Sequence, residues 1–406
     1  MARLAVILAV LAGLVCQDER PRPAAPTPTP PPLAGVEQRI GPAGLAEHLR
    51  ALQRIAGEHG GHRSAGSPGE RATADYIADR LRAAGYRVQI SEVPVPAVGE
   101  ARLTAGSRSY AARAMQFSPG GTVTGTVRAV GIGCDAQAFA ALERGDVALA
   151  QRGTCPFRAK ALAAQRAGAA AVLIVDDEPV RGSLGRPGVR VPVLAVGAAA
   201  RDLPGARVRV VVAERRAPIV IGELGAADAE RVVMAGAHLD SVRAGAGLND
   251  NGSGVAAVLE IAEALGGRRV EDGTALRFGF WGAEELGLIG SRHYVDGLSR
   301  AERDRIVAYI NLDMVGSPGA EPSVYDGDET IEAALRRHLG RDVRERDLGS
   351  SSDHAPFRRA GIPVGGIFTG LDDCYHQRCD TLNNVDRAVL TTAARAAGAA
   401  VVDLAT

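Results

Sequence analysis

The run Leu276-Arg277-Phe278-Gly279-Phe280-Trp281-Gly282-Ala283-Glu284-Glu285 changes character halfway along. Leu276 to Trp281 reads as a buried strand, two small residues turn the chain, and the adjacent glutamates open a helix predicted over Glu284 to Val295. Val232 to Ala237, Val307 to Leu312 and Pro363 to Phe368 have the same strand makeup. Helical patterns alternate with them at Gly254 to Leu265, Glu329 to Leu339 and Ala388 to Leu404. Buried strands between helices predict an α/β fold with a mostly parallel sheet covered on both faces. Such sheets place their sites at the carboxyl ends of the strands. His238, Glu285 and Asp313 fall at or just after strand ends, and Asp250 and His376 come from the following loops.

Two imidazoles and three carboxylates make a donor set suited to a pair of zinc ions, and a position left for water would make the site catalytic. Asp240, two residues past His238, is close enough to take that ring's second proton. Asp250 lies in Gly247-Leu248-Asn249-Asp250-Asn251-Gly252-Ser253-Gly254, where it reads equally as a helix cap or as a carboxylate bridging two cations. On a helix, Glu284 and Glu285 would leave the backbone roughly 100° apart. Glu285 is therefore expected to bind metal while Glu284 faces the water as general base. Tyr375, just before His376, can aim its hydroxyl at a reacting carbonyl. Two zincs outweigh the charge of the three carboxylates, which favours a bound water of lowered pKa.

Outward from this region, Leu45, Leu49, Leu52 and Ile55 recur at helical spacing, Ala72 to Ala84 repeats the pattern, and Tyr86 to Ile90 alternates as a strand. From about Gly99 to Arg215 the texture changes to short valine-rich runs broken by glycines, with one helical stretch, Ala159 to Ala167. An inserted β-rich domain at 99–215 is expected to split the α/β domain into 34–98 and 216–406. It holds no cluster of catalytic residue types, so a packing or lid role is expected.

Met1 to Val15 carries Arg3 and an apolar run too short to span a bilayer but suited to a signal peptide. Residues 1–16 are expected to direct export, and 17–33 to form a proline-rich tether. Cys16 stands where a bacterial lipoprotein is lipidated, although Val15 replaces the usual Gly or Ala, so a lipid anchor and plain secretion both stay open. No other membrane contact is expected. Four cysteines follow Cys16, which suggests two disulfides. Cys374 with Cys379 would pin the His376 loop, and Cys134 and Cys155 lie in the insert, though four cysteines allow three connectivities. The 47 basic residues balance 47 acidic ones, which argues against nucleic acid as partner and leaves small solutes or peptides. A monomer is expected.

The stretches Gly236-Ala237-His238-Leu239-Asp240-Ser241, Asn249 to Gly254, Trp281 to Gly287, Asn311-Leu312-Asp313-Met314, Ser352-Asp353-His354-Ala355-Pro356-Phe357 and Cys374-Tyr375-His376 together resemble the co-catalytic di-zinc aminopeptidases of the secreted bacterial leucyl type. Arg152-Gly153-Thr154-Cys155-Pro156-Phe157, with Lys160, Ala167-Gly168-Ala169 and Val172-Leu173-Ile174, resembles the protease-associated (PA) domain. The first resemblance implies a zinc-exopeptidase fold, two zinc ions per chain and removal of single residues from peptides with a free amino terminus. It implies that Asp250 bridges, that His238 and His376 each complete one zinc together with Glu285 or Asp313, that Glu284 is the base, and that Tyr375 steadies the oxyanion. Asp353 takes a supporting hydrogen-bond role. An apolar first residue is expected, received by Met314, Phe357, Ile367 and Phe368, four positions that core packing explains equally well.

Two features depart from the family. Close relatives carry a substrate-holding arginine where this chain has Ser350-Ser351-Ser352, and the loop from Thr369-Gly370 to Cys374 is short. Three other readings use the same fold. A carboxypeptidase on acidic dipeptides needs a cationic pocket, and no arginine sits inside the motifs. A single-zinc glutaminyl cyclase does not need all five ligands, and a receptor-like protein predicts that some are missing.

Overall fold

The computed structural model describes residues 32–185, 188–347 and 349–406, and side chains at all of these except 96–100. The signal segment and Cys16 lie outside the described residues. Leu33 is already buried, so the chain joins the core at the end of the expected tether.

Helices α1 (Pro42–Glu58) and α2 (Pro68–Ala83) lead into a long strand, β1 (Arg87–Ala105). Strands β2 (Arg108–Tyr110), β3 (Ala112–Ala114), β4 (Gly121–Ala129), β5 (Val147–Gln151), β6 (Ala171–Val175) and β7 (Val193–Val196) follow, with α3 (Phe157–Arg166) between β5 and β6. A second long strand, β8 (Arg207–Gly225), returns the chain. Then come β9 (Arg231–His238), α4 (Gly252–Leu265), β10 (Thr274–Trp281), α5 (Ile289–Gly297), α6 (Arg300–Arg305) and β11 (Ile306–Leu312). The chain ends with β12 (Ser323–Tyr325), α7 (Glu329–Leu339), β13 (Arg344–Arg346), α8 (His354–Arg359), β14 (Val364–Phe368) and α9 (Arg387–Ala405).

The order β10-β9-β11-β14 is a parallel set, and it forms the centre of the sheet. β8 and β12 flank it in antiparallel pairing, a feature that the apolar runs alone do not reveal. Alternation along β9 explains why the sheet is covered twice. Val233, Ala235 and Ala237 point into one core, with residues of α1, α4, α7 and α9. Val232 and Met234 point into the other, with Trp281, Tyr309 and Phe357.

The inserted unit has its own cores on both sides of β5 and β6. Its strands β4 to β7 pair in parallel, and Cys134 and Cys155 form a disulfide across 5.9 Å between Cα atoms. The junction is a ribbon: β1 and β8 pair antiparallel from Arg87↔Glu223 through Pro96↔Glu214, and again from Ala101↔Val212 to Thr104↔Arg209. Both strands therefore belong to both units.

Candidate metal centre

Four parallel strands end side by side, with Trp281 in register with His238 and Leu312 with Ile367. This edge delivers the side chains of the site. His238 closes β9, and Asp313 follows β11 directly. Asn251 is the cap of α4: its Oδ1 accepts from the amide of Gly254 at 2.9 Å, which leaves the neighbouring Asp250 carboxylate free of that duty.

The five expected ligands come together as two triads that share Asp250. His238 Nε2 lies 3.3 Å from Asp250 Oδ1 and 3.5 Å from Asp313 Oδ1. His376 Nε2 lies 3.1 Å from Asp250 Oδ2 and 3.0 Å from Glu285 Oε2. The donor atoms of each triad lie within 4.8 Å of one another. Zinc ligands stand at about 2.0 to 2.2 Å from the ion, so neighbouring donors of one tetrahedral site are roughly 3.3 Å apart. The spacing fits, and each oxygen of Asp250 serves one triad. The geometry groups Asp313 with His238 and Glu285 with His376, a pairing that the spacing of residues left open.

Electrostatics favour a cation here. Burial works against a charged His238, yet Asp313 and Glu284 outweigh it and hold its pKa well above the ordinary value. His376 is raised to about 10 by Asp250 and Glu285 against the same opposing burial. Glu285 is pushed up to about 7 by burial and by Asp250. In the metal-free chain protons do the work of cations, and among the described residues the buried Asp313 Oδ1 and Glu285 Oε1 have no hydrogen-bond partner.

The second oxygen of Asp313 is already engaged. Trp281 donates to Tyr309, Tyr309 to Asn311 and Asn311 to Ser352, at 2.8, 2.9 and 2.9 Å, and the Ser352 hydroxyl reaches Asp313 Oδ2 at 2.6 Å. Ser352 thus orients the Asp313 carboxylate, a role hidden in a run of three serines.

Glu284 and Glu285 are not on a helix. α5 begins only at Ile289, because Ala283 (φ 57°) and Leu288 (φ 59°) are left-handed and Glu284 to Gly287 form a turn. The roughly helical separation of the two glutamates is therefore replaced by a turn fixed from outside. Ala283 donates its amide to Glu70 Oε1 at 3.0 Å, and Glu284 and Glu285 donate theirs to the two oxygens of Asp240 at 3.0 and 3.3 Å. Asp240 lies 3.6 Å from His238 Nδ1, beyond hydrogen-bond reach, and no other partner takes that nitrogen. Asp240 thus holds the glutamate turn while standing within ion-pair distance of the His238 ring. Glu70 precedes the helical pattern at Ala72 to Ala84 and belongs to no motif; its amide donates to the Ser67 cap of α2, and nothing in the local sequence hints at a reach to Ala283.

The loop carrying His376 is closed by the Cys374 to Cys379 disulfide. Tyr375 stacks on the His376 ring at 3.8 Å between centroids, and burial together with Asp250 and Glu285 raises its pKa, so the phenol keeps its proton. Two flanking acids tie this loop to the Asp250 loop. Asp380 accepts the amides of Asn249 and Asp250 at 2.7 and 3.0 Å, and Asp372 accepts from the Asn249 side chain at 2.6 Å.

A cavity of about 600 Å³ opens onto the site, lined by the five expected ligands, Glu284, Tyr375, Met314, Phe368, Arg346 and neighbours. Met314 and Phe368 line it as expected. Phe357 and Ile367 do not: Phe357 stacks on Tyr309 at 3.8 Å in one core, Ile367 sits in the other, and both are fully buried. Phe368, one residue after Ile367, points the opposite way, as strand alternation requires. Asp353 is fully buried, and burial lifts its pKa to about 7 despite the opposing charge of His238 and hydrogen bonding from Ser291.

Among the described residues one more imidazole meets two carboxylates: His48 Nε2 lies 3.4 Å from Glu260 and 3.8 Å from Glu263. Arg80 already donates to both oxygens of Glu263 at 2.6 and 2.7 Å, so this cluster ties α1, α2 and α4 together by ion pairing.

A model of peptidase family M28 matches residues 220–401, and one of the PA domain matches 123–203. The protein named "Probable lipoprotein aminopeptidase LpqL" of Mycobacterium tuberculosis is 34% identical over 450 residues, which cover 95% of this chain and 90% of LpqL. An aminopeptidase of Pseudomonas aeruginosa is 33% identical, over 88% of this chain and 79% of its own. Among solved structures, the aminopeptidase from Aneurinibacillus sp. strain AM-1 aligns with a TM-score of 0.62 at 28% identity, over 90% of this chain and 94% of that one. BSAP, a zinc aminopeptidase from Bacillus subtilis, aligns with a TM-score of 0.61 at 27% identity, over 93% and 96%. With its site at the carboxyl edge of the central strands and its β-rich unit carried on one ribbon, the chain belongs to peptidase family M28 and contains an inserted PA domain.

Proposed function

We propose that this chain is an exported zinc aminopeptidase that holds two zinc ions and removes an apolar first residue from peptides with a free amino terminus. The reading rests most on one observation, the two donor triads sharing Asp250 beside an uncommitted Glu284 and Tyr375 in one cavity. Relatives of similar length are named aminopeptidases, and one solved relative is named a zinc enzyme. His238 and Asp313 would hold one ion, His376 and Glu285 the other, with Asp250 between them. Zinc held there supplies Lewis acidity and lowers the pKa of bound water.

The chain's own groups do the rest. Burial and the neighbouring acids Asp353, Glu285 and Asp313 raise the pKa of Glu284, although His238 opposes them, so its carboxylate accepts a proton readily and can pass it to the leaving amine. The protonated phenol of Tyr375 can donate to the oxyanion. The acidic wall of the cavity suits a substrate ammonium, while Met314 and Phe368 offer apolar contact to the first side chain. The LpqL name supports lipidation at Cys16, and the two disulfides support an oxidising compartment.

The test compares leucine p-nitroanilide with its N-acetyl derivative, before and after chelation. Hydrolysis of the free-amine substrate alone, lost with chelator and restored by zinc, is the expected outcome. Equal hydrolysis of both substrates would contradict amine recognition.

A further inference from the structure

The cavity carries one feature that the proposed reaction does not use. Arg346, at the end of β13, is the only lysine or arginine among the described residues that line it, although it belongs to none of the site's motifs. Its guanidinium carbon stands over the Phe368 ring, 5.9 Å from the centroid. Among the described residues no carboxylate lies within ion-pair reach of it: Glu345 beside it pairs with Arg336, and Asp347 accepts the amide of Gly349. Stacking on an aromatic face holds a guanidinium while leaving its N–H edges free, and those edges match a carboxylate in a two-point fork.

The charges of the cavity are divided. Asp250, Glu284, Glu285 and Asp313 supply the negative groups, and Arg346 lines the same space together with Phe368 and Ser351. A ligand complementary to this division carries an ammonium at one end and a carboxylate at the other. We infer that Arg346 is a specificity-determining residue that binds a carboxylate of the substrate, so the enzyme prefers peptides bearing one close to the scissile bond. The inference rests on the aminopeptidase reading and narrows its substrate class. The carboxylate has two chemical sources: the C-terminus of a dipeptide, which keeps the apolar first residue proposed above, or an acidic side chain on the first residue, which would replace it. Arg346 is exposed and solvated in the free chain, so the preference comes from the two-point charge pairing with a carboxylate, which an amide cannot make.

Two substrate pairs, run on full-length zinc-loaded enzyme, separate these sources. Leu-Gly against Leu-Gly-amide reads the terminal carboxylate, and glutamyl against glutaminyl p-nitroanilide reads the side chain. The wild type is expected to favour the carboxylate member of at least one pair by about three-fold or more in kcat/KM. In Arg346→Ala that ratio should fall to near one, and Arg346→Lys should keep part of it through charge without the fork. Each ratio is internal to one protein, so any loss of folded enzyme cancels. Ratios near one in the wild type, or ratios unchanged in Arg346→Ala, overturn the role of Arg346 while leaving the aminopeptidase reading intact. Hydrolysis of N-acetyl-Leu-Gly as fast as Leu-Gly overturns the aminopeptidase reading, and this inference with it.

Discussion

At the scale of single residues, the site concentrates carboxylates that would be costly without cations. Asp353 shows this effect apart from the metal ligands, because it is buried and is not among the proposed ligands. Burial lifts its folded pKa to about 7, above the 3.8 of a free aspartate, against the opposing charge of His238. Between those values the folded chain holds a proton that the unfolded chain has lost, so folding is favoured at low pH and the advantage disappears as pH rises through about 7. Metal-free protein should therefore melt at progressively lower temperature from pH 4 to pH 7, and Asp353→Asn should flatten that slope. Melting curves across this range check it, and an unchanged slope in the variant would contradict it.

At the scale of elements, the strands were legible and the turns between them were not. Val232 to Ala237 and Leu276 to Trp281 announce themselves through continuous apolar runs, and their ends located His238 and the glutamate pair. The helix predicted from Glu284 fails because its first turn is held by Glu70 and Asp240, the former 213 positions from Ala283, and no local pattern encodes such a reach. Arg346 escaped for the same reason, since only the pairing of β13 beside β12 brings it to the cavity. Arg63 shows how strongly these loops depend on distant side chains. Fully buried, it donates to the carbonyls of Leu239, Ala246 at 3.0 Å and Gly247 at 2.7 Å, clamping the segment between His238 and Asp250. Arg63→Met would leave three carbonyls without that donor, so a loss of about 3 kcal/mol or more in denaturant unfolding is expected, together with faster zinc release to a chelator. A variant as stable as wild type would show that the clamp is dispensable.

At the scale of the whole molecule, the inserted domain and the catalytic domain share two strands. Pro96 faces Glu214 in the ribbon, so a tight turn joining these two positions would close β1 and β8 into a hairpin and remove the insert. Among the described side chains, the hydrophobic cores of the α/β unit draw on β1 no further than Val95, so the shortened chain should fold and hydrolyse leucine p-nitroanilide. A shortened chain that folds but is inactive would assign the insert a part in forming the site. The composition change near Gly99 made this domain visible, whereas the shared ribbon became apparent only from strand pairing.

The most direct test of the account concerns Glu284, which lines the cavity without belonging to either triad. Zinc content and turnover of Glu284→Gln should be measured on the same sample. Two zinc ions per chain with turnover reduced by about 10² to 10⁴ is the predicted result, since the variant keeps the ligands and loses the proton acceptor. Full turnover would remove Glu284 as the base, and one zinc or none in both variant and wild type would contradict the two-metal centre.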